Sequence, residues 1–583
     1  MIDAQPATLI DQGRAREDGV SATAFSYVSG ASDEPLLGQT IGQALDLAVA
    51  RWRENRALIS PSDKVSWTWA ELRGRARALA SGLVALGLKR GERIGVWSLN
   101  RPEWTLTQFA AAEAGLVFVT INPAYRLHEL EYALKKVGCA ALVTATRFKT
   151  SDYVGMVHAL APELATAQAG ALKAERLPSL RLVIQIGEPP SQGMLAFSAV
   201  SGLGGQAEER ALDAMRDEIQ FDDPANIQFT SGTTGNPKGV TLSHHNILNN
   251  GYFVGRAMKL NADDRICIPV PLYHCFGMVM GNLAAVTLGA AMVYPGEGFD
   301  PLATLKTISS ERCTALYGVP TMFIAELDHP EFDKHDLSSL RTGIMAGSPC
   351  PIEVMKKARE RMNMRDVTIA YGMTETSPVS FQSSTEDSVE RRVSTIGRVH
   401  PHVEVKIVDT KGRVVPRGEK GELCTRGYSV MSGYWGEPEL TRQAKDAAGW
   451  MHTGDLATID AEGFGNIVGR IKDMVIRGGE NLYPREIEEF LYKHPKIQDV
   501  QVFGVADDFY GEELCAWIRV KAGETMKPED VRAFCEGQIA HNKIPRYVEF
   551  VTEFPMTVTG KVQKFLMRRA VEERLGLNAM KTA

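Results

Sequence analysis

The chain has 583 residues, 44% hydrophobic and 23% charged, which is a globular composition and too much chain for one compact core, so two or more domains are expected. The formal net charge of −6 leaves no basic field for nucleic acid and no lysine-rich tail for an anionic membrane. Its eight cysteines (Cys139, Cys267, Cys275, Cys313, Cys350, Cys424, Cys515 and Cys535) include no Cys-x-x-Cys pair and are too sparse for a disulfide framework, so a reducing, cytoplasmic setting is expected.

In chain order, residues 1–40 read as an irregular segment, and Met1 to Gln12, with an early acid and no apolar run, does not read as a secretory signal. From Gly42 to Gly87 apolar residues recur at helical spacing, as in Leu72, Ala76, Leu79, Leu83 and Leu86. Short apolar strands follow at Ile94 to Trp97, Val117 to Ile121, Ala141 to Thr144 and Leu182 to Ile186, separated by helical stretches at Pro102 to Ala114 and His128 to Lys136. That alternation predicts parallel sheets covered by helices. Glycine and alanine crowd 188–215, which reads as a surface connection. The loose dinucleotide fingerprint inside it, Gly202-Leu-Gly204-Gly-Gln-Ala207, is too short to carry weight, although a helical stretch from Glu208 to Ile219 follows. Gly277 to Tyr294 is apolar apart from Asn282 and Thr287. Its glycines favour a buried helix to Thr287 and then a strand over a membrane span, which needs about 20 uninterrupted apolar residues.

After residue 395 the texture changes to short strands at Val403 to Val408, Glu422 to Thr425, Ala457 to Ile459 and Gly465 to Val468, with turns at Asp409 to Gly412 and Asp460 to Gly463. This predicts a mostly β subdomain, in the form of a barrel. A compact α+β unit is expected beyond Arg470, with helices at Pro484 to Lys493 and Pro528 to Ile539 and strands at Val500 to Val505 and Cys515 to Val520.

Several motifs carry chemistry. Thr230, Ser231, Gly232, Thr233, Thr234, Gly235, Asn236, Pro237, Lys238 and Gly239 form a loop between apolar strands. Its glycines let backbone amides approach an anion, and its hydroxyls and lysine add donors for phosphate. The spacing is not that of a Walker A loop. Tyr371, Gly372, Met373, Thr374, Glu375 and Thr376 follow an apolar run, so an aromatic, a hydroxyl and an acid emerge together at a strand end, where ligands sit in open α/β sheets. Tyr371 could stack on a base, Thr374 reach phosphate and Glu375 hold Mg²⁺ through oxygen. His274 opens the most apolar segment, a place suited to a pocket wall as well as to a satisfied core histidine. Gly347, Ser348 and Pro349 form a tight turn, and Asp455, in Thr453-Gly-Asp, could hold two ribose hydroxyls. Arg470, Gly478 and Gly479 belong to a basic, glycine-bearing stretch at the candidate junction Lys472, and Lys561 follows a glycine turn near the C terminus.

Together, in this order and over nearly the whole chain from Gly42 to Leu577, these residues resemble the adenylate-forming superfamily of acyl-CoA synthetases, peptide-synthetase adenylation domains and firefly luciferases. Pro271-Leu-Tyr-His-Cys-Phe-Gly277, Glu422-Leu-Cys-Thr-Arg-Gly-Tyr428 and Arg477-Gly-Gly-Glu-Asn-Leu-Tyr-Pro484 look most like medium-chain fatty-acyl-CoA synthetases. The resemblance implies an α/β fold with a large domain of two parallel-sheet subdomains plus a β-barrel at 41–471, and a small mobile α+β domain at 472–583. It implies that Thr230 to Lys238 form the phosphate loop, that Gly347, Ser348 and Pro349 face Tyr371 across adenine, and that Thr374 and Glu375 contact phosphate and Mg²⁺. It further makes Asp455 and Arg470 ribose contacts, Lys472 the hinge, Lys561 the catalytic lysine, and Gly478 and Gly479 the wall of a pantetheine tunnel. His274 is placed at the acyl-site entrance.

The expected reaction is attack of a carboxylate on the α-phosphate of ATP, releasing pyrophosphate, and then capture of the acyl-adenylate by coenzyme A with release of AMP. Aryl or branched acids, and a stand-alone adenylating enzyme, are the alternatives; a non-catalytic nucleotide sensor is disfavoured by the presence of Lys561 and Glu375. An amino-acid-activating domain is disfavoured because histidine, not aspartate, stands at 274. The expected partners are the small-molecule acid, ATP and CoA, with no nucleic acid and no integral membrane segment; a homodimer is allowed.

Overall fold

The computed structural model describes residues 24–230, 237–348, 350–478, 480–507, 509–557 and 561–577. Its helices begin where the sequence supplies caps. Thr40 and Gln43 close a capping box on Ile41–Trp52, Thr68 and Glu71 one on Trp69–Ala85, and Ser243 and Asn246 one on His244–Ala257. The run of helical spacing from Gly42 to Gly87 is therefore two helices rather than one, parted by a hairpin, Arg56–Ser60 against Val65–Thr68. The short strands hid inside the period because Ala57, Leu58 and Ile59 are as apolar as the helix faces around them.

Two sheets form the body of the chain. The first has eight strands, in the order Leu195–Ala196, Leu182–Gln185, Cys139–Thr144, Arg93–Trp97, Val117–Thr120, Pro224–Thr230, Lys238–Ser243 and Gly433–Tyr434. The first six of these strands run parallel, Lys238–Ser243 returns antiparallel, and Gly433–Tyr434 pairs antiparallel to it. The second has nine, in the order Arg398–Val399, Val379–Gln382, Asp366–Gly372, Thr342–Ala346, Ala315–Gly318, Arg265–Cys267, Ala291–Val293, Arg56–Ser60 and Val65–Thr68, parallel through its centre. Strands such as Cys139–Thr144 are buried at every residue, which is why they read as continuous apolar runs rather than alternating ones. One apolar core joins the two sheets through Trp104, Phe109, Val254 and Tyr317.

The segment from Gly277 to Tyr294 is the expected buried helix and strand. A wide helical turn, Met278–Leu283, continues as Ala284–Leu288 and is followed by Ala291–Val293. No helix among the described residues is long and apolar enough to cross a membrane. The connection at 188–215 runs into a helix, Gln206–Glu218, that buries only Leu212 and is tied to Arg77 through Glu209 and Asp213.

The β region after 395 is an antiparallel sheet of five strands, Tyr27–Ser29, Val403–Val408, Gly421–Gly427, Met451–Ile459 and Gly465–Arg470. Among the described residues its two outer strands pair with nothing that closes it, so it is an open sheet where a barrel was expected. Its edge strand comes from the stretch expected to be irregular, because Tyr27 to Ser29 is too short to show an alternation of its own. From Val475 onward the chain buries two apolar clusters of its own, one around Val500 and Ile518, the other around Phe503 and Met567.

One core residue breaks the packing rule. Glu326, on Pro320–Leu327, is 1% exposed and neither carboxyl oxygen has a hydrogen-bond partner, so burial raises its pKa well above the usual carboxylate range. Below about pH 4.3 both folded and unfolded chains hold this proton; above it only the folded chain does, so stability falls as pH rises toward the folded pKa. Glu326→Met is therefore expected to raise the melting temperature by about 2 °C or more at pH 8 and by much less at pH 4.5. An equal shift at both values would remove burial of the charge as the cause.

Candidate active site

The site lies at the carboxyl ends of the parallel strands of the second sheet, where the small unit approaches the large one. Strand Asp366–Gly372 delivers Tyr371, and the turn Thr374–Thr376 follows at once. Gly372 is required there, since a Cβ would stand 1.7 Å from the carbonyl oxygen of Pro378. Thr376 holds the turn by accepting from the Met373 amide (3.2 Å) and donating to the Pro378 carbonyl (2.7 Å), which leaves Thr374 and Glu375 fixed and nearly buried.

Glu375 is gripped from the far side of the first sheet. Tyr434 donates its hydroxyl to Glu375 Oε1 at 2.9 Å, and the Met431 amide donates to the Glu375 carbonyl at 2.9 Å. Tyr434 pairs with Val240 on the second strand of the hairpin Pro224–Thr230 against Lys238–Ser243, and Lys238 Nζ lies 4.9 Å from the centre of its ring. Hairpin and turn are thus joined through one tyrosine, which sequence reasoning did not single out. The only signal was an aromatic beside a glycine in Gly433-Tyr434, and its partner is 59 residues away.

The hairpin itself, Pro224–Thr230 against Lys238–Ser243, places Thr230 opposite Lys238 at its mouth, with Pro237 beside it. Ser231, Gly232, Thr233, Thr234, Gly235 and Asn236 lie outside the described residues, as do Pro349 and Gly479. Asp455 enters from the five-stranded sheet, directly across from Arg470 on the neighbouring strand. Arg470 Nε donates to Asp455 Oδ1 at 3.1 Å, and the Tyr371 hydroxyl donates to Oδ2 at 2.6 Å. Burial raises the Tyr371 phenol well above its ordinary pKa, and the Asp455 carboxylate raises it further.

Lys561 completes the group. It closes a turn in which its amide donates to Thr557 Oγ1 (3.0 Å) and its carbonyl accepts from the Thr557 amide (2.8 Å). A Cβ on Gly347 would lie 4.0 Å from Lys561 Cε, so the lysine reaches the tight turn of Gly347 and Ser348. Burial lowers its pKa and Arg470 lowers it further; Cys275, Glu375 and Asp455 oppose that shift. His274 caps the helical turn Cys275–Gly277 by accepting the Phe276 amide at Nδ1 (3.2 Å). Burial, reinforced by the nearby Lys561 ammonium, pushes its pKa down to about 3, so it is a neutral imidazole in the physiological range. Beside it Cys275 donates its thiol to Gln228 Oε1 (3.1 Å), and Phe276 stacks on Tyr317 with ring centres 5.7 Å apart.

The cluster therefore gathers Tyr371, Thr374, Glu375, Asp455, Arg470, Lys561 and His274 from four separate stretches of chain. Two cations and two acids in a confined space suit a charged, oxygen-rich ligand, and the apolar wall beyond His274 suits a ligand with a hydrocarbon end. Lys472 is exposed in the turn Ile471–Asp473, between the last strand of the five-stranded sheet and the first of the C-terminal unit. Gly478 keeps to the C-terminal unit, where its amide donates to the Tyr510 carbonyl at 2.8 Å.

A model described as AMP-binding enzyme matches residues 45–435, and one described as AMP-binding enzyme C-terminal domain matches residues 486–561. The Bacillus subtilis protein YngI is 48% identical over 545 residues, covering 93% of this chain and 99% of its own length. The mitochondrial medium-chain acyl-CoA ligase of Homo sapiens is 46% identical over 561 residues, covering 95% of this chain and 91% of its own. Among solved structures, the anthranilate CoA ligase AuaEII, in complex with anthranoyl-AMP, superposes with a TM-score of 0.81 at 26% identity, over 94% of this chain and 99% of that one. ATP-bound MatB from Rhodopseudomonas palustris does so with a TM-score of 0.78 at 27% identity, over 92% and 100%. Since the first model spans more than half of the chain and relatives align along almost all of it, this chain belongs to the AMP-binding enzyme family.

Proposed function

We propose that the protein is an ATP-dependent acyl-CoA synthetase that activates a medium-chain fatty acid, first to the acyl-adenylate and then to the CoA thioester. One observation carries this reading: Lys561, from the far end of the chain, reaches the cluster that holds Glu375, Asp455 and Arg470, beside the apolar wall opened by His274. The human relative's name, a medium-chain acyl-CoA ligase, supports the same acid class.

The first obstacle is electrostatic, because a carboxylate must approach a polyphosphate. Lys561 is assigned to the reacting carboxylate and α-phosphate, where its charge offsets the repulsion and grows in value as negative charge develops. Thr230 to Lys238 would steady the departing pyrophosphate, and Thr374 would donate to the α-phosphate. Asp455 would accept the ribose hydroxyls, with Arg470 and Tyr371 keeping its carboxylate aimed. Tyr371 and the Gly347 to Pro349 turn would face the adenine ring. Glu375, one oxygen held by Tyr434, fits a hard cation through the other, and Mg²⁺ when bound would neutralise phosphate charge there.

Neutral His274 would stand at the acyl entrance without drawing the acid into an ion pair away from the phosphate. For the thioester step Lys561 must withdraw, and Lys472 is the proposed hinge between residues 41–471 and 472–583. Gly478 and Gly479 would then meet the pantetheine arm. The eight cysteines are all buried and unpaired, which favours the cytoplasm as the compartment.

The test is AMP release with each of a series of straight-chain acids from acetate to stearate and several aryl acids, with and without CoA. A maximum at medium chain length that depends on CoA is expected. A maximum at aryl acids would overturn the acid class, and AMP release indifferent to CoA would overturn the second half-reaction.

A further inference from the structure

Away from the phosphates, the five-stranded sheet brings three unlike donor atoms to one point. Glu422 and Cys424 stand two apart on Gly421–Gly427 and so share a face, and His452 lies directly opposite Cys424 on Met451–Ile459. Cys424 Sγ is 3.5 Å from His452 Nδ1, and His452 Nδ1 is 2.9 Å from Glu422 Oε2. All three atoms lie within 4.8 Å of one another.

Hydrogen bonding alone serves this arrangement poorly. With its proton on Nδ1 the ring donates to Glu422 and leaves the Cys424 sulfur only a weak acceptor at 3.5 Å; with a lone pair there it can take the thiol proton but faces the Glu422 carboxylate without a hydrogen. A cation has no such conflict. Zinc bonded at about 2.3 Å to sulfur and about 2.0–2.1 Å to imidazole nitrogen and carboxylate oxygen sets tetrahedral edges of about 3.6 Å for S···N and about 3.3 Å for N···O. The first edge is already present, and the second needs the Glu422 carboxylate to swing out by a few tenths of an ångström.

We propose that Glu422, Cys424 and His452 form a binding site for a borderline-soft divalent cation, with zinc as the best match. One thiolate, one imidazole and one carboxylate are a zinc donor set; magnesium and calcium would reject the sulfur and the ring. Three protein ligands leave a fourth position to water, and Glu422 and His452, with side chains 24% and 35% exposed, give the ion a way in. Cys424 is fully buried against Val408 and Trp450, which orients its sulfur from beneath.

The other oxygen of Glu422 ties the site to the nucleotide end of the sheet. Glu422 Oε1 accepts the Gly454 amide at 3.2 Å, inside the irregularity of the strand Met451–Ile459 that carries Asp455. An ion on Oε2 would clamp the two strands on the side away from Asp455. The inference concerns metal binding and stands independently of the proposed acyl-CoA chemistry.

The full chain, stripped with chelator and kept reduced, is titrated with Co²⁺ and then Zn²⁺ in the absence of substrates. One equivalent of Co²⁺ is expected to produce a thiolate charge-transfer band that one equivalent of Zn²⁺ abolishes, and Zn²⁺ is expected to raise the melting temperature. Cys424→Ser should lose the band, and His452→Gln, at a partly exposed position that tolerates change, should weaken binding by at least about tenfold. No band in the parent chain, an undiminished band in Cys424→Ser, or unchanged affinity in His452→Gln would each overturn the site.

Discussion

Lys561→Ala is expected to slow acyl-adenylate formation by about 10²–10³ while leaving thioester formation from supplied acyl-adenylate near its original rate. Such a factor is about 3–4 kcal/mol, the usual worth of one preorganised contact to charge that develops only in the transition state. The site makes the contact unusually exposed to loss. The lysine is held in place by a turn on Thr557 and by the wall at Gly347, and no other residue of the C-terminal unit has been assigned to the reacting groups. The thioester step starts from a neutral acyl group and an uncharged or singly charged thiol, so it has little need of this cation. The measurement is pyrophosphate release from ATP and acid beside thioester yield from synthetic acyl-adenylate and CoA. Equal loss in both would show that Lys561 supports the fold or the substrate pocket rather than the first step.

Asp455→Ala is expected to lower kcat/KM for ATP by about 10²-fold, with the KM values for acid and CoA little changed. Asp455 is 6% exposed and is the shared partner of Arg470 and Tyr371. Removing it takes away the proposed ribose acceptor and also leaves the part-buried Tyr371 phenol and the partly exposed Arg470 guanidinium without their shared carboxylate. Asp455→Asn keeps the shape and one acceptor oxygen, so its loss should be smaller than that of alanine. Steady-state kinetics with ATP varied decides the matter: an unchanged KM for ATP in both variants would remove Asp455 from nucleotide binding.

The expectations that succeeded share a physical reason. A strand buried on both faces is a continuous apolar run, a strand with one solvated face alternates, and a proline at the first position marks a helix start, so Cys139–Thr144, Val403–Val408 and Pro102–Glu113 were legible one element at a time. The failures were of the opposite kind. Tyr27–Ser29 is a strand only because Val403–Val408 needs an edge partner. The hairpin at Arg56–Ser60 and Val65–Thr68 was swallowed by the helical period on either side. In the β region, alternation and turns report strands but not whether the first meets the last.

The same division runs through the site. Motif by motif, the amino-acid order determined which residue types stand at strand ends and loops, and hence an oxygen-rich, nucleotide-like ligand. It could not show that Tyr434 reaches Glu375, that Cys275 bonds to Gln228, or that Cys424 faces His452 across two strands. Those pairings are set by strand register and by how two sheets and a C-terminal unit pack, and such contacts link residues tens to hundreds of positions apart without leaving any local pattern. The chemistry was written in short segments, while its assembly into one site was decided by tertiary packing, because only packing brings Lys561 from the end of the chain to an aspartate and a glutamate carried by different sheets.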